Sequence, residues 1–232
     1  MSRLEAVIFD LDDTLYPEAD YVLSGFQAVA DWAEIHLAIP AGQGFRQLFS
    51  LFEEGVRGDT FDRWLASSGA AAAGRIPQMV QVYREHQPRL APFPEVPDLL
   101  PSLRRHYRLG LLSDGYAAAQ RRKLAALDIA HHFDVIVFTD EWGRECWKPS
   151  PRGYQAALQQ LTVAAHDAAY VGDNPLKDFA GARQIGMHTI WVRRPGGEYS
   201  HLEPPGDSYG ADVVITSLEQ LEQTLLRPEA RS

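Results

Sequence analysis

Six short runs in this chain are apolar almost without a break: Ala6–Phe9, Leu109–Leu112, Val135–Phe138, Ala168–Val171, Thr189–Val192 and Val213–Ile215. A strand with one wet face alternates apolar and polar residues, whereas a continuous run suits a strand covered on both faces, as in a parallel sheet flanked by helices. Between the runs lie helical stripes at three/four spacing: Val96/Leu99/Leu100/Leu103, Tyr154/Ala157/Leu158/Leu161 and Leu218/Leu221/Leu225. Strand–helix alternation with short connections predicts an α/β fold, a Rossmann-like, doubly wound, mainly parallel sheet.

The interval after the first run breaks this rhythm. It holds no convincing strand but four helical stripes: Val22/Phe26/Val29/Ala33, Phe45/Leu48/Phe49/Phe52, Phe61/Trp64/Leu65 and Ile76/Met79/Val80/Tyr83. The expected organisation is therefore an α/β core over 1–15 and 92–232, with a helical subdomain over 16–91 inserted after the first strand. The Gly69–Gly74 tract reads as a linker between helices.

At 232 residues the chain is long enough for such a core plus an insertion. Its 22 basic and 31 acidic residues give a net charge of −9, without a long basic run, so a nucleic-acid polymer is not an expected partner. The lone cysteine, Cys146, has no partner for an internal disulfide, which fits a reducing compartment. No run approaches the ~20 apolar residues that span a bilayer, and the first apolar run stops at Asp10, too soon for a signal peptide. The expectation is a cytoplasmic protein with no membrane partner; its oligomeric state is not legible.

In open α/β sheets ligands bind beyond the carboxyl ends of the strands. The first run ends in Asp10-Leu11-Asp12-Asp13-Thr14, the second in Ser113-Asp114-Gly115, and the fourth in Gly172-Asp173-Asn174 with Asp178 shortly after; Trp147-Lys148-Pro149 follows the third. Each piece has an ordinary explanation. A lone Asp or Asn after a strand caps a helix or forms a turn, Ser113 suits the N-cap of a helix over Tyr116–Leu127, and lysines are mostly solvated. Their coincidence on one rim is not ordinary, because clustered carboxylates repel and need a compensating cation.

Those four segments, in that order, resemble the motifs of the haloacid dehalogenase superfamily over nearly the whole chain, and the helical insertion resembles its helical-cap phosphatase branch. The resemblance implies a Mg²⁺-dependent phosphatase acting on a small phosphorylated metabolite. It makes Asp10 the nucleophile that forms an aspartyl-phosphate, and Asp12 the general acid, then base. Asp10, Asp173 and the carbonyl of Asp12 become the Mg²⁺ ligands, and Thr14, Asn174 and Asp178 stand behind them. Ser113 and Lys148 bind the phosphoryl group, Lys148 neutralising nucleophile and ester alike.

The charges fit that implication. A phosphomonoester brings about two negative charges to three aspartates, a repulsion that a divalent ion and one lysine largely offset. Oxygen ligands suit Mg²⁺, and a carboxylate nucleophile fits covalent catalysis. Displacing a halide needs no proton, whereas expelling an alkoxide does, so Asp12 favours phosphoester hydrolysis over 2-haloacid dehalogenation. A phosphotransferase or mutase shares the same residues, and a non-catalytic binding module would have lost some of them. Candidate substrate contacts are Asp114 beside Ser113, Tyr16 near the hinge, and Arg57 in the Glu53–Asp59 turn, where a guanidinium suits anionic groups. Trp64 and Tyr83 read as core, and Cys146 as inert.

Overall fold

The computed structural model describes residues 4–68 and 74–226. Residues up to Pro17 and from Ala91 onward form one compact unit, and Glu18–Leu90 forms a second.

The first unit is built on six strands: β1 Ala6–Phe9, β2 Arg108–Ser113, β3 Val135–Phe138, β4 Ala168–Gly172, β5 His188–Val192 and β6 Val213–Ile215. All pair in parallel, in the order β3-β2-β1-β4-β5-β6. β1 and β4 are buried at every residue, as unbroken apolar runs require. The order reverses between β1 and β4, the switch point where a doubly wound sheet opens a crevice. Phe9 pairs with Leu111 on one side and Val171 on the other. Asp10, Ser113 and Asp173 therefore all emerge at that opening.

The helices of this unit follow the apolar stripes. In α5 (Val96–Leu103) all four stripe residues are buried, despite Pro101 inside the helix. α6 (Ala117–Leu127) ends on Asp128 in the left-handed region, and α7 (Arg152–Leu161) buries Tyr154, Ala157, Leu158 and Leu161. α8 (Ala180–Gln184) is short. The last stripe divides into a 3₁₀ turn over Leu218–Gln220 and a helix over Leu221–Leu226, with Leu218, Leu221 and Leu225 buried as one row. Ile8, Leu112, Tyr154, Tyr170, Phe179 and Trp191 are among the core residues on one side of the sheet.

Among the described residues the second unit contains four helices, α1 Glu18–Leu37, α2 Ala41–Glu53, α3 Thr60–Ser68 and α4 Ile76–Glu85. They enclose their own core around Phe26, Val29, Leu48, Trp64 and Met79. Trp64 is wholly buried, and its indole N–H donates to Gln47 at 2.8 Å. Most of the glycine–alanine tract, 69–73, lies outside the described residues. Among the described residues no helix is long and apolar enough to cross a membrane.

Candidate active site

Asp10 leaves β1 with its amide still donating to Val171 at 2.9 Å, so the sheet fixes its backbone. The chain then turns tightly: Leu15 N–H donates to the Leu11 carbonyl, and Asp13 adopts φ 51°. An aspartate tolerates that left-handed conformation better than most residues, which accounts for Asp13 as a turn residue. Thr14 is buried and its hydroxyl donates to Asp173 Oδ1 at 3.5 Å.

Three carboxylates converge. Asp10, Asp173 and Asp178 each offer an oxygen, and the three lie within 4.8 Å of one another, all buried. Two of their carbonyls are anchored from behind, with Trp191 Nε1 donating to Asp173 O and Tyr154 Oη to Asp178 O, both at 2.7 Å. Asp178 Oδ2 also accepts the Asn174 amide at 2.8 Å, and the Asn174 side chain accepts from Leu176 N at 2.9 Å. Asn174 is thus a turn former, as a short amide side chain commonly is. Gly172 makes room for this knot, since a Cβ there would lie 2.6 Å from Asp178 Oδ2.

Lys148 is the cation among them. Its Nζ, with no solvent exposure, donates to Asp10 Oδ1 at 2.6 Å, Asp178 Oδ1 at 2.8 Å and Tyr170 Oη at 2.9 Å. Its backbone N–H donates to Asp114 Oδ1 at 3.2 Å, and Thr139 donates to the same oxygen at 2.6 Å. The following bond to Pro149 is cis. Gly181 of α8 passes so close to Pro149 that a Cβ would sit 2.2 Å from its carbonyl oxygen. Lys148 is therefore clamped from both sides of its backbone.

The bonded ammonium of Lys148, with the charge of Lys177 nearby, does not offset the burial of these carboxylates. Burial pushes Asp10 up to about 6; Lys148 opposes that rise and Asp178 adds to it. Asp173 is raised well above the usual carboxylate range by burial, with Asp178 and Asp10 as further causes. Burial alone would lower Lys148, but Asp10 and Asp178 hold it well above the usual lysine value. Asp10 Oδ2 is buried with no hydrogen-bond partner among the described residues. A buried polar atom without a partner is uncommon. Here it lies in an all-oxygen, electron-rich cluster, which is the donor set that a hard cation such as Mg²⁺ takes.

Asp12 sits in a different setting. Its Oδ1 accepts from Tyr16 Oη and from Lys123 Nζ at 2.6 Å, and its Oδ2 accepts from Gln120 Nε2 at 2.7 Å. Burial would raise its carboxyl, but the Lys123 charge and the hydrogen bonds from Lys123, Tyr16 and Gln120 keep it below the ordinary value. Gln120 also donates to Ser113 Oγ at 2.6 Å.

Several sequence expectations change in this light. Ser113 does not cap α6, whose N-cap position is Tyr116 with no capping hydrogen bond from its side chain; the Ser113 hydroxyl donates to the Asp114 carbonyl at 3.3 Å. Asp114 and Tyr16, read as substrate contacts, are otherwise engaged: Asp114 holds the Lys148 segment, and Tyr16 is wholly buried with its hydroxyl on Asp12. Arg57 turns back on its own loop, donating to the carbonyls of Phe52 and Val56 with its guanidinium 4.0 Å from the Phe52 ring centroid. A cation stacked on an aromatic face and bonded to local carbonyls has a local structural task. Gln120, Lys123, Thr139 and Tyr170 were not singled out from the sequence. For two of them a signal existed: Gln120, Lys123, Leu124 and Leu127 fall on one i, i+3, i+4, i+7 stripe, and all four are buried.

Residues 7–192 match the haloacid dehalogenase-like hydrolase family. The chain belongs to that family. As a member of these hydrolases it is an enzyme. It is 32% identical over 228 residues to the glyceraldehyde 3-phosphate phosphatase of Methanopyrus kandleri, covering 94% of this chain and 95% of the relative. It is 33% identical over 204 residues to the phosphoserine phosphatase of Thermus thermophilus, covering 88% and 70%. Among solved structures, a 2-haloacid dehalogenase from Pseudomonas syringae pv. Tomato superposes with a TM-score of 0.67 at 26% identity, covering 97% of this chain and 99% of that one. Haloacid dehalogenase-like hydrolases thus include both chemistries near this chain, and the choice between them falls to the site.

Proposed function

We propose that this protein is a Mg²⁺-dependent phosphomonoesterase for small phosphorylated metabolites, working through an aspartyl-phosphate on Asp10. The observation that carries the reading is Asp12, a second carboxylate kept on hydrogen-bond donors two residues beyond Asp10. An alkoxide leaving group needs a proton and the attacking water must lose one; Asp12, held ionised by its donors, suits the second task as it stands, and it serves the first once the negative charge of an incoming phosphate raises its carboxyl, whereas halide displacement needs no acid. The phosphatase names of relatives aligned over most of the chain support the same choice.

In the first step Asp10 attacks phosphorus, the ester P–O bond breaks, and the proton on Asp12 passes to the departing oxygen. In the second, water attacks phosphorus, its proton goes to Asp12, and the acyl-phosphate P–O bond breaks to return the Asp10 carboxylate and release phosphate. Lys148 holds Asp10 in line and offsets charge on the phosphoryl group. Ser113 donates to a phosphoryl oxygen. Asp178 keeps Lys148 in place, and Thr14 steadies Asp173. Asp10, Asp173 and the Asp12 carbonyl would hold Mg²⁺, which when bound supplies the positive charge that lets a carboxylate and a phosphate meet. Glu18–Leu90 is read as the helical cap of this enzyme, and a cytoplasmic setting suits its lone cysteine.

The test is turnover of a panel of phosphorylated metabolites with and without Mg²⁺, run beside Asp10→Asn and a haloacid. Mg²⁺-dependent phosphate release that Asp10→Asn abolishes is the expected result. Halide release without phosphate release overturns the reading.

A further inference from the structure

Asp12 and Ser113 stand on different strands' loops, yet one helix face serves both. Gln120 and Lys123 lie three apart on α6, on the same side of the helix, and both are buried, at 2% and 4% exposure. A buried ammonium is costly unless it is paired and hydrogen-bonded. Lys123 reaches Asp12 Oδ1 at 2.6 Å, and its Nζ lies 6.0 Å from the Tyr16 ring centroid. With Tyr16 on the same oxygen and Gln120 on the other, three donors take three of the roughly four acceptor positions of the carboxylate. The remaining position is on Oδ2, so proton traffic through Asp12 has one port.

Gln120 supplies the second half of the argument. Its neighbour Asp12 is a carboxylate and only accepts, so the amide nitrogen must face it. Both N–H groups are then used, one on Asp12 Oδ2 and one on Ser113 Oγ. Ser113 Oγ accepts from Gln120, and its own proton is left to point elsewhere. At present it makes a long 3.3 Å bond to the Asp114 carbonyl, an interaction a phosphoryl oxygen readily replaces.

We infer that Gln120 and Lys123 are positioning residues: Lys123 pins Asp12 with a single face open for proton transfer, and Gln120 forces Ser113 to act as a donor to the phosphoryl group. The inference rests on the acid–base role of Asp12 and the phosphoryl contact of Ser113 proposed above.

Lys123→Met and Gln120→Leu test it with two esters, 4-nitrophenyl phosphate and glycerol 3-phosphate, followed by rapid quench as well as steady state. The aryl leaving group departs without a proton, so in Lys123→Met its first-turnover burst should stay within about threefold of wild type. Aryl steady-state turnover and alkyl turnover, which both need Asp12, should fall by roughly 10²–10⁴. Lys123→Arg should recover part of that loss. Gln120→Leu should weaken competitive inhibition by inorganic phosphate about tenfold. Loss of burst and steady-state rate by one common factor, or unchanged alkyl turnover, overturns the role of Lys123. Unchanged phosphate inhibition in Gln120→Leu overturns that of Gln120. Should Lys123→Met fail to fold, Lys123→Gln carries the same comparison. If wild type releases phosphate from neither ester, it is the phosphatase reading that fails.

Discussion

Replacing Lys148 by methionine removes an ammonium that touches both Asp10 and Asp178. The stem is retained, so little packing is lost, but two buried carboxylates lose a partner at 2.6 and 2.8 Å. Breaking a buried ion pair from one side typically destabilises by about 3–5 kcal/mol. For a protein of this size each kcal/mol moves the melting midpoint by about 2–4 °C, so a fall of about 10 °C is expected at pH 8 in chelator. The pH dependence follows from Asp10. Its carboxyl already stands at about 6 with Lys148 present, above its unfolded value, and losing the ammonium raises it further. A carboxyl with a raised folded pKa binds more protons folded than unfolded, so stability increases as pH falls through that pKa. The deficit of Lys148→Met should therefore shrink at pH 5, and Asp10→Asn added to it should restore part of the midpoint at pH 8 while leaving the enzyme inactive. Calorimetric melts of the three proteins at both pH values read this directly. A midpoint within about 2 °C of wild type, or a deficit equal at pH 5 and pH 8, would refute the account of Lys148 as the counter-charge of this cluster.

Two further outcomes follow from the same geometry. Mg²⁺ at a hundredfold excess over its dissociation constant should stabilise the protein by about 2.7 kcal/mol; Asp173→Asn should abolish that shift in thermal melts, and titration calorimetry should find weaker binding below pH 6, where Asp10 holds a proton. Gly172→Ala places a Cβ against Asp178 Oδ2, so it should cost about 1–3 kcal/mol and lower turnover by displacing Asp178 from Lys148; denaturant unfolding and kcat check both.

The strands were legible because burial on both faces leaves unbroken apolar runs, and the acids because they follow those runs at the carboxyl edge. What the sequence concealed were polar groups inside apolar patterns. Tyr170 sits in a run that reads as core, and its ring does pack edge-on against Tyr154 at 4.9 Å, but its hydroxyl reaches Lys148. Gln120 and Lys123 look like the solvated face of an alanine-rich helix until the stripe they share with Leu124 and Leu127 is noticed. Arg57 shows the converse, since charge in a loop carries no information about where it turns, and its guanidinium lies on the local carbonyls of Phe52 and Val56. Asp114 and Tyr16 stand beside reactive residues in sequence but spend their polar atoms on holding them.

The most direct measurement is acid quench of the enzyme within its first turnover on a ³²P-labelled ester, followed by peptide mapping. Up to one hydroxylamine-labile phosphoryl group per chain, on the peptide that contains Asp10 and absent in Asp10→Asn, is the predicted result. Rapid phosphate release with no label on that peptide at any quench time would contradict a nucleophilic Asp10.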